Sequence, residues 1–168
     1  MGSLAGWRYC PRCRAELERS DGRVACRTCH FVAYASSVPT ACALCVDDDG
    51  RVLLARRAGE PFRGAWDLPG GFLEDGEHPL DALRRELREE TGLEIEPVGF
   101  LGVWMDWYGA GPAANSTLNL VWTARVVGGR EQAADDVSEL RWFVPNDLPP
   151  RAEIAFHIAD VLAAWRAR

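Results

Sequence analysis

The chain of 168 residues contains no lysine; all 19 of its basic residues are arginine. This excludes Schiff-base chemistry on a lysine amine, and with it pyridoxal enzymes and lysine aldolases. It also excludes the ordinary phosphate-binding loop, whose lysine reaches the β- and γ-phosphates of a nucleoside triphosphate. No run of 18 apolar residues exists, so no transmembrane helix is expected. Met1 to Arg8 hold no apolar stretch of the secretory kind, and Gly6 stands where a myristoylation signal needs Ser or Thr. A cytoplasmic location is the resulting expectation, and in that compartment the 6 cysteines point to metal ligands or free thiols rather than disulfides. Internal repeats and low-complexity tails are also missing.

The length fits one domain with a small appendage, and 48% hydrophobic residues with 7 Trp supply a real core. Every cation is a guanidinium, able to grip phosphate with two parallel hydrogen bonds. A GC-rich coding bias also exchanges Lys for Arg, so composition alone assigns no such grip. The net charge of −6 is unevenly spread. Residues 1–30 hold six Arg against three acids, and the remainder thirteen Arg against 22 acids. The shift divides the chain into a unit over 1–35 and a second over 36–168.

In the first unit, Cys10-Pro11-Arg12-Cys13 and Cys26-Arg27-Thr28-Cys29 are two C-x-x-C pairs separated by twelve residues. Each pair predicts a knuckle with two thiolates aimed at one metal, and Ser20-Asp21-Gly22 predicts the turn of a hairpin between them. A structural zinc held by Cys10, Cys13, Cys26 and Cys29 is expected. A segment this short buries too little surface to fold without it. The third pair, Cys42 and Cys45, lies in an apolar run that reads as a buried strand over 40–46. Residues i and i+3 of a strand face opposite sides, so these thiols are expected as core residues.

In the second unit, Asp47 to Gly50 predicts a hairpin turn into a strand over 52–56. A helix follows, with Pro79 in its first turn and a stop at Thr91-Gly92. On a wheel with Leu80 at zero, Leu83 and Leu87 fall at about 300° and 340°. Glu86 falls at about 240°, Glu90 at about 280° and Glu89 at about 180°, so three carboxylates cluster beside the apolar stripe. Taken alone, this pattern fits either a solvated face, offset by Arg84, Arg85 and Arg88, or a site for a hard cation such as Mg²⁺ or Mn²⁺.

The wider spacing decides between them. Gly71, five residues, Glu77, seven residues, then Arg85-Glu86-Leu87-Arg88-Glu89-Glu90-Thr91-Gly92-Leu93 resembles the Nudix box, G-x5-E-x7-R-E-U-x-E-E-x-G-U, at every specified position. Leu68-Pro69-Gly70-Gly71 resembles the usual entry into that box. The resemblance implies an α/β fold, an α/β/α sandwich with a mixed sheet between helices. It also implies metal-assisted hydrolysis of a diphosphate. Glu86, Glu89 and Glu90, with the Gly70 carbonyl, match the family's metal ligands. Arg85 matches the residue that orients Glu86, and Glu77 the one that braces the loop. Glu86 and Glu89 are candidates for the general base. A later acid is also a candidate, either Asp136 beside Asp135, which would also join the metal, or Glu139. Arg56, Arg57 and Arg63 are candidates for the phosphate grip.

A four-cysteine ribbon ahead of such a domain resembles the NADH pyrophosphatase group. The array S-Q-P-W-P-F-P-x-S that marks NADH specificity is absent, which counts against NADH within an expected substrate class of ADP-ribose, FAD or NADH type dinucleotides. Trp104 and Trp107 are expected on opposite faces of a strand. One would lie in the core, and the other would stack a base or meet a second copy in a homodimer. The segment 109–116 is the expected lid. Residues 152–168 predict an amphipathic closing helix. The alternative function is a ligand sensor whose ribbon contacts nucleic acid or protein. A net +3 on the ribbon argues weakly for nucleic acid.

Overall fold

A computed structural model describes residues 4, 6–110 and 114–168; residues 111–113, in the expected lid, lie outside the described residues. The chain divides into two compact units, one of residues 1–38 with 107–117 and one of 39–106 with 118–168.

The first unit holds a three-stranded antiparallel sheet, β1 (Glu18–Ser20), β2 (Arg23–Ala25) and β3 (Val32–Tyr34). Gly22, at φ 71°, makes the β1–β2 turn, a conformation that a residue without Cβ adopts freely. The two knuckles repeat one another. Arg14 donates to the Cys10 carbonyl and His30 to that of Cys26, and both donors stand in left-handed backbone. Cys10, Leu17, Val24 and Cys26 form the small core.

The remaining strands are β4 (Val38–Cys45), β5 (Val52–Arg57), β6 (Trp66–Asp67), β7 (Gly70–Phe72), β8 (Leu93–Tyr108), β9 (Asn115–Gly129) and β10 (Val137–Phe143), and all but Val38, Trp107, Tyr108 and residues 115–117 belong to the second unit. The strands form two groups, β10-β5-β6 and β7-β4-β9-β8. β5 runs antiparallel to β10 and β6, and β4 to β7. The β4–β9 contacts rise together, Thr40 bonding Asn119 and Val46 bonding Ala124, so this pair is parallel and the architecture mixed.

β4 explains the layering. Ala41, Ala43 and Cys45 pack on the α1 side with Leu83 and Leu87, whereas Cys42 and Leu44 pack on the α2 side with Ile158, Val161 and Leu162. An apolar run without polar alternation is what a strand covered on both faces requires. Cys42 and Cys45 thus face opposite helices as buried thiols, their pKa values pushed up by burial.

Helix α1 (Pro79–Thr91) starts with His78 accepting the Leu80 N–H and Pro79 at the first position. It ends at Gly92, whose φ of 69° suits glycine and whose N–H satisfies the Arg88 carbonyl. Helix α2 covers only Ile158–Arg166. The predicted closing helix from 152 is interrupted because Ile154 bridges Trp66 and Ala155 donates to the Trp66 carbonyl, holding that stretch against β6. Phe156, at φ 48°, then turns the chain into α2.

Candidate active site and cysteine metal centre

Arg85 sits at the centre of the loop–helix–loop. Its Nε and one terminal nitrogen grip both carboxylate oxygens of Glu77 at 2.9 and 2.8 Å. The other terminal nitrogen reaches Glu86 at 2.8 Å and Glu89 at 3.1 Å, and a further bond goes to the Phe72 carbonyl. One guanidinium therefore ties the loop to the helix and spaces two carboxylates. The bidentate grip holds the Glu77 carboxyl down at about 2.

The three helix glutamates differ in exposure. The Glu86 side chain is 14% exposed, that of Glu89 is 50% exposed, and Glu90 is buried at 6%. Gly71 makes the position of Glu86 possible, because a Cβ there would lie 2.6 Å from the carboxylate carbon. Glu90 accepts the Gly70 N–H at 2.8 Å. Burial raises the pKa of Glu90 well above the ordinary carboxylate range, and the Asp136 carboxyl within hydrogen-bonding reach raises it further. Burial also raises Glu86, against the opposing pull of Arg85.

Asp136 is brought to Glu90 by backbone bonds that lay the 130–136 loop on the end of α1. Arg130 donates to Gly92, Gln132 to Thr91 and Ala134 to Glu90. Ala58 then donates to the Asp136 carbonyl, where β10 begins its pairing with β5. A polar cavity of about 20 Å³, room for about one water, is lined by Arg57, Asp67, Gly70, Glu90 and Asp136 among others. Glu139 lies elsewhere in the ladder, paired with Arg56 and Arg141, which hold its carboxyl low.

The sequence-predicted arginines have different surroundings. Arg57 is 12% exposed and pairs with equally buried Asp67 at 3.0 Å. It also donates to the Pro61 carbonyl and lies over the Phe156 ring. Arg56 is tied to Gly64 and Glu139 and stacks on Trp66. Arg63 is 67% exposed, its nearest acid being Glu60 at 3.9 Å. Trp104 packs against the α2-side core, its ring stacked on His157 at 6.3 Å with planes 12° apart. Trp107, which belongs to the other unit, is 51% exposed.

Sequence reasoning missed Asp67 and His157. Burial raises the Asp67 pKa, and Arg57 opposes the shift. His157 meets Asp106 at 3.2 Å. The available signal was an acid between Trp66 and Leu68, an apolar setting that predicts a buried and partnered carboxylate.

In the ribbon, Cys10 and Cys29 approach to 3.5 Å, and Cys13 and Cys26 to 3.4 Å. All four sulfurs lie within 4.8 Å of one another. Tetrahedral zinc with Zn–S bonds of about 2.3 Å needs sulfurs roughly 3.8 Å apart, so the set fits that ion. Among the described residues, no other group of three or more Cys, His, Asp or Glu is gathered so closely. The helix glutamates, held apart by Arg85, offer the hard oxygen donors that suit Mg²⁺ or Mn²⁺.

Comparison with known proteins agrees with this geometry. The NUDIX domain model matches residues 36–165. The chain is 37% identical over 107 residues to an ADP-ribose pyrophosphatase of Methanocaldococcus jannaschii, covering 64% of this chain and 62% of that protein. It is 30% identical over 166 residues to an NAD-capped RNA hydrolase, NudC, of Pseudomonas putida, covering 95% of this chain and 57% of the relative. The chain therefore spans somewhat over half the length of these relatives. A NUDIX hydrolase structure from Nitrosomonas europaea superposes with a TM-score of 0.76 at 26% identity, over 93% of this chain and 88% of that one. With the box geometry and the family match in agreement, the chain belongs to the NUDIX family.

Proposed function

We propose that this protein hydrolyses the diphosphate of a nucleoside diphosphate joined to a second moiety, of the ADP-ribose, FAD or NADH type. The observation that carries the reading is the pairing of buried Glu90 with Asp136 at a cavity also lined by Gly70. A buried acid facing a second, more exposed carboxyl is costly to ionise, and a divalent cation would relieve that cost. Glu86, Glu89, Glu90 and the Gly70 carbonyl would hold Mg²⁺ or Mn²⁺, with Asp136 joining them. When bound, the metal would neutralise the phosphates and acidify a water.

The remaining work falls to this chain's own groups. Hydrolysis forms one P–O bond from water, breaks the bridging P–O bond and leaves two monophosphates. Glu86, raised by burial yet held by Arg85, is suited to take the proton of the attacking water. Arg63, with the greatest exposure of the three arginines, and Arg56 serve as the phosphate grip. Arg57, locked against Asp67, shapes the cavity wall. A zinc held by the four ribbon cysteines would have a full set of protein ligands and therefore a structural role.

A panel of ADP-ribose, FAD, NADH and NAD-capped RNA, assayed with Mg²⁺ and with products identified, tests the reading. Wild type should release a nucleoside monophosphate, and Glu90→Gln should cost at least about 100-fold in kcat. If no member of the panel turns over and Glu90→Gln binds ligand as tightly as wild type, the protein is a sensor rather than an enzyme.

A further inference from the structure

Two aromatic residues near the catalytic cavity stand in backbone that bulky side chains disfavour. Phe62, in the loop after β5, has φ 64°, and Phe156, before α2, has φ 48°. Such outliers persist only where the surroundings impose them. The rings meet edge to face, with centroids 4.8 Å apart and planes at 66°. The Arg57 guanidinium lies 5.1 Å over the Phe156 ring and pairs with Asp67. Arg57 and Asp67 line the same cavity as Gly70, Glu90 and Asp136. The aromatic pair is therefore linked by direct contacts to the wall of the diphosphate site. Phe62 remains 48% exposed despite its strained backbone. Core packing does not account for a residue that gains so little burial.

We propose that Phe62, backed by Phe156 and Arg57, is the platform on which the heteroaromatic ring of the substrate's nucleoside stacks. The proposal rests on the hydrolase reading above and names the part of the site that holds the base. An edge-to-face contact with Phe156 leaves a π-face of Phe62 available, and a purine offers its own π-face to it. Trp104 is less suited, because its ring is already stacked on His157 and packed against the core. A stacked base adds about 5- to 150-fold in affinity.

The test compares AMP with ribose 5-phosphate, which carries a phosphate but no base, by calorimetry with Mg²⁺. Wild type should bind AMP more tightly. Phe62→Ala should remove about 5- to 150-fold of AMP affinity and leave ribose 5-phosphate unchanged, and Phe62→Trp should restore AMP binding. In ADP-ribose hydrolysis, Phe62→Ala should raise KM and leave kcat within about twofold, the pattern of lost uniform binding. If wild type shows the AMP contrast without hydrolysing any dinucleotide, the platform stands and the hydrolase reading fails. The platform is overturned if wild type binds the two probes alike, if Phe62→Ala weakens both equally, or if it changes neither AMP binding nor KM.

Discussion

Gly71→Ala separates the catalytic role of the loop from its structural role. An alanine Cβ would stand 2.6 Å from the Glu86 carboxylate carbon and 2.7 Å from both oxygens. Ordinary contact begins at 3.4 Å, so the carboxylate must retreat by about 0.8 Å (3.4 minus 2.6). The obstacle is the end of a flexible side chain, so the fold adapts for about 1 kcal/mol or less. Glu86 does not adapt freely, because Arg85 holds it at 2.8 Å and Arg85 is committed to Glu77 as well. A misplacement near 1 Å in such a site costs about 100-fold in rate. Gly70→Ala is the contrast. There φ is 140° and the new Cβ meets backbone, 2.3 Å from the Ala41 oxygen and 2.6 Å from the Cys42 Cα. A strand pairing must open, at a cost of about 3 kcal/mol.

The assay pairs kcat for ADP-ribose hydrolysis at saturating Mg²⁺ with a thermal melt. Gly71→Ala should lose about 100-fold in kcat with a Tm within about 4 °C of wild type. Gly70→Ala should melt roughly 6–12 °C lower. The reasoning is refuted if Gly71→Ala keeps more than half of wild-type kcat, or if it melts as low as Gly70→Ala.

Glu77 gives a pH prediction. Its folded pKa, held down at about 2 from an ordinary 4.5 by Arg85, means that its stabilisation is full above pH 4.5 and is lost as pH falls toward 2. Glu77→Gln should be less stable than wild type at pH 7, and the gap should close on acidification; a gap that persists at pH 2 would exclude the pair as its cause. For the ribbon, metal analysis should find about one zinc per chain, and Cys10→Ser/Cys13→Ser should lose it together with hydrogen-exchange protection over 18–34. Full zinc content in that double variant would rule out the four-cysteine site.

Much of the candidate site's geometry was legible because helical geometry is periodic. Glu90, at about 280° on the wheel, lies only about 20° from Leu83, and it is the glutamate the fold buries. Glu89, at about 180°, is half exposed, and Glu86 lies between them in both angle and exposure. Burial ranks these carboxylates in the order set by their spacing from the apolar stripe. The same logic separated Cys42 from Cys45, since alternation along a strand sends them into different cores. Gly92 and Pro79 marked the helix ends because each suits only a few backbone positions.

What escaped the sequence depends on contacts between segments distant in the chain. The period of 152–168 is helical, yet Ile154 and Ala155 are held by Trp66, nearly ninety residues earlier, and no local pattern reports such a partner. Arg57 shows the same limit in its chemistry. Three arginines near the end of one strand look equivalent as candidates for a phosphate. The fold then gives Arg57 a buried acid and an aromatic ring, Arg56 an indole and Glu139, and Arg63 a single long, exposed pairing with Glu60. A buried guanidinium that loses its carboxylate is left as an uncompensated charge, so Asp67 and Arg57 constrain one another more than either is free to serve a ligand. The arginine best able to move toward a phosphate is therefore the one the fold binds least, and Phe62, its sequence neighbour, stands in the same exposed loop.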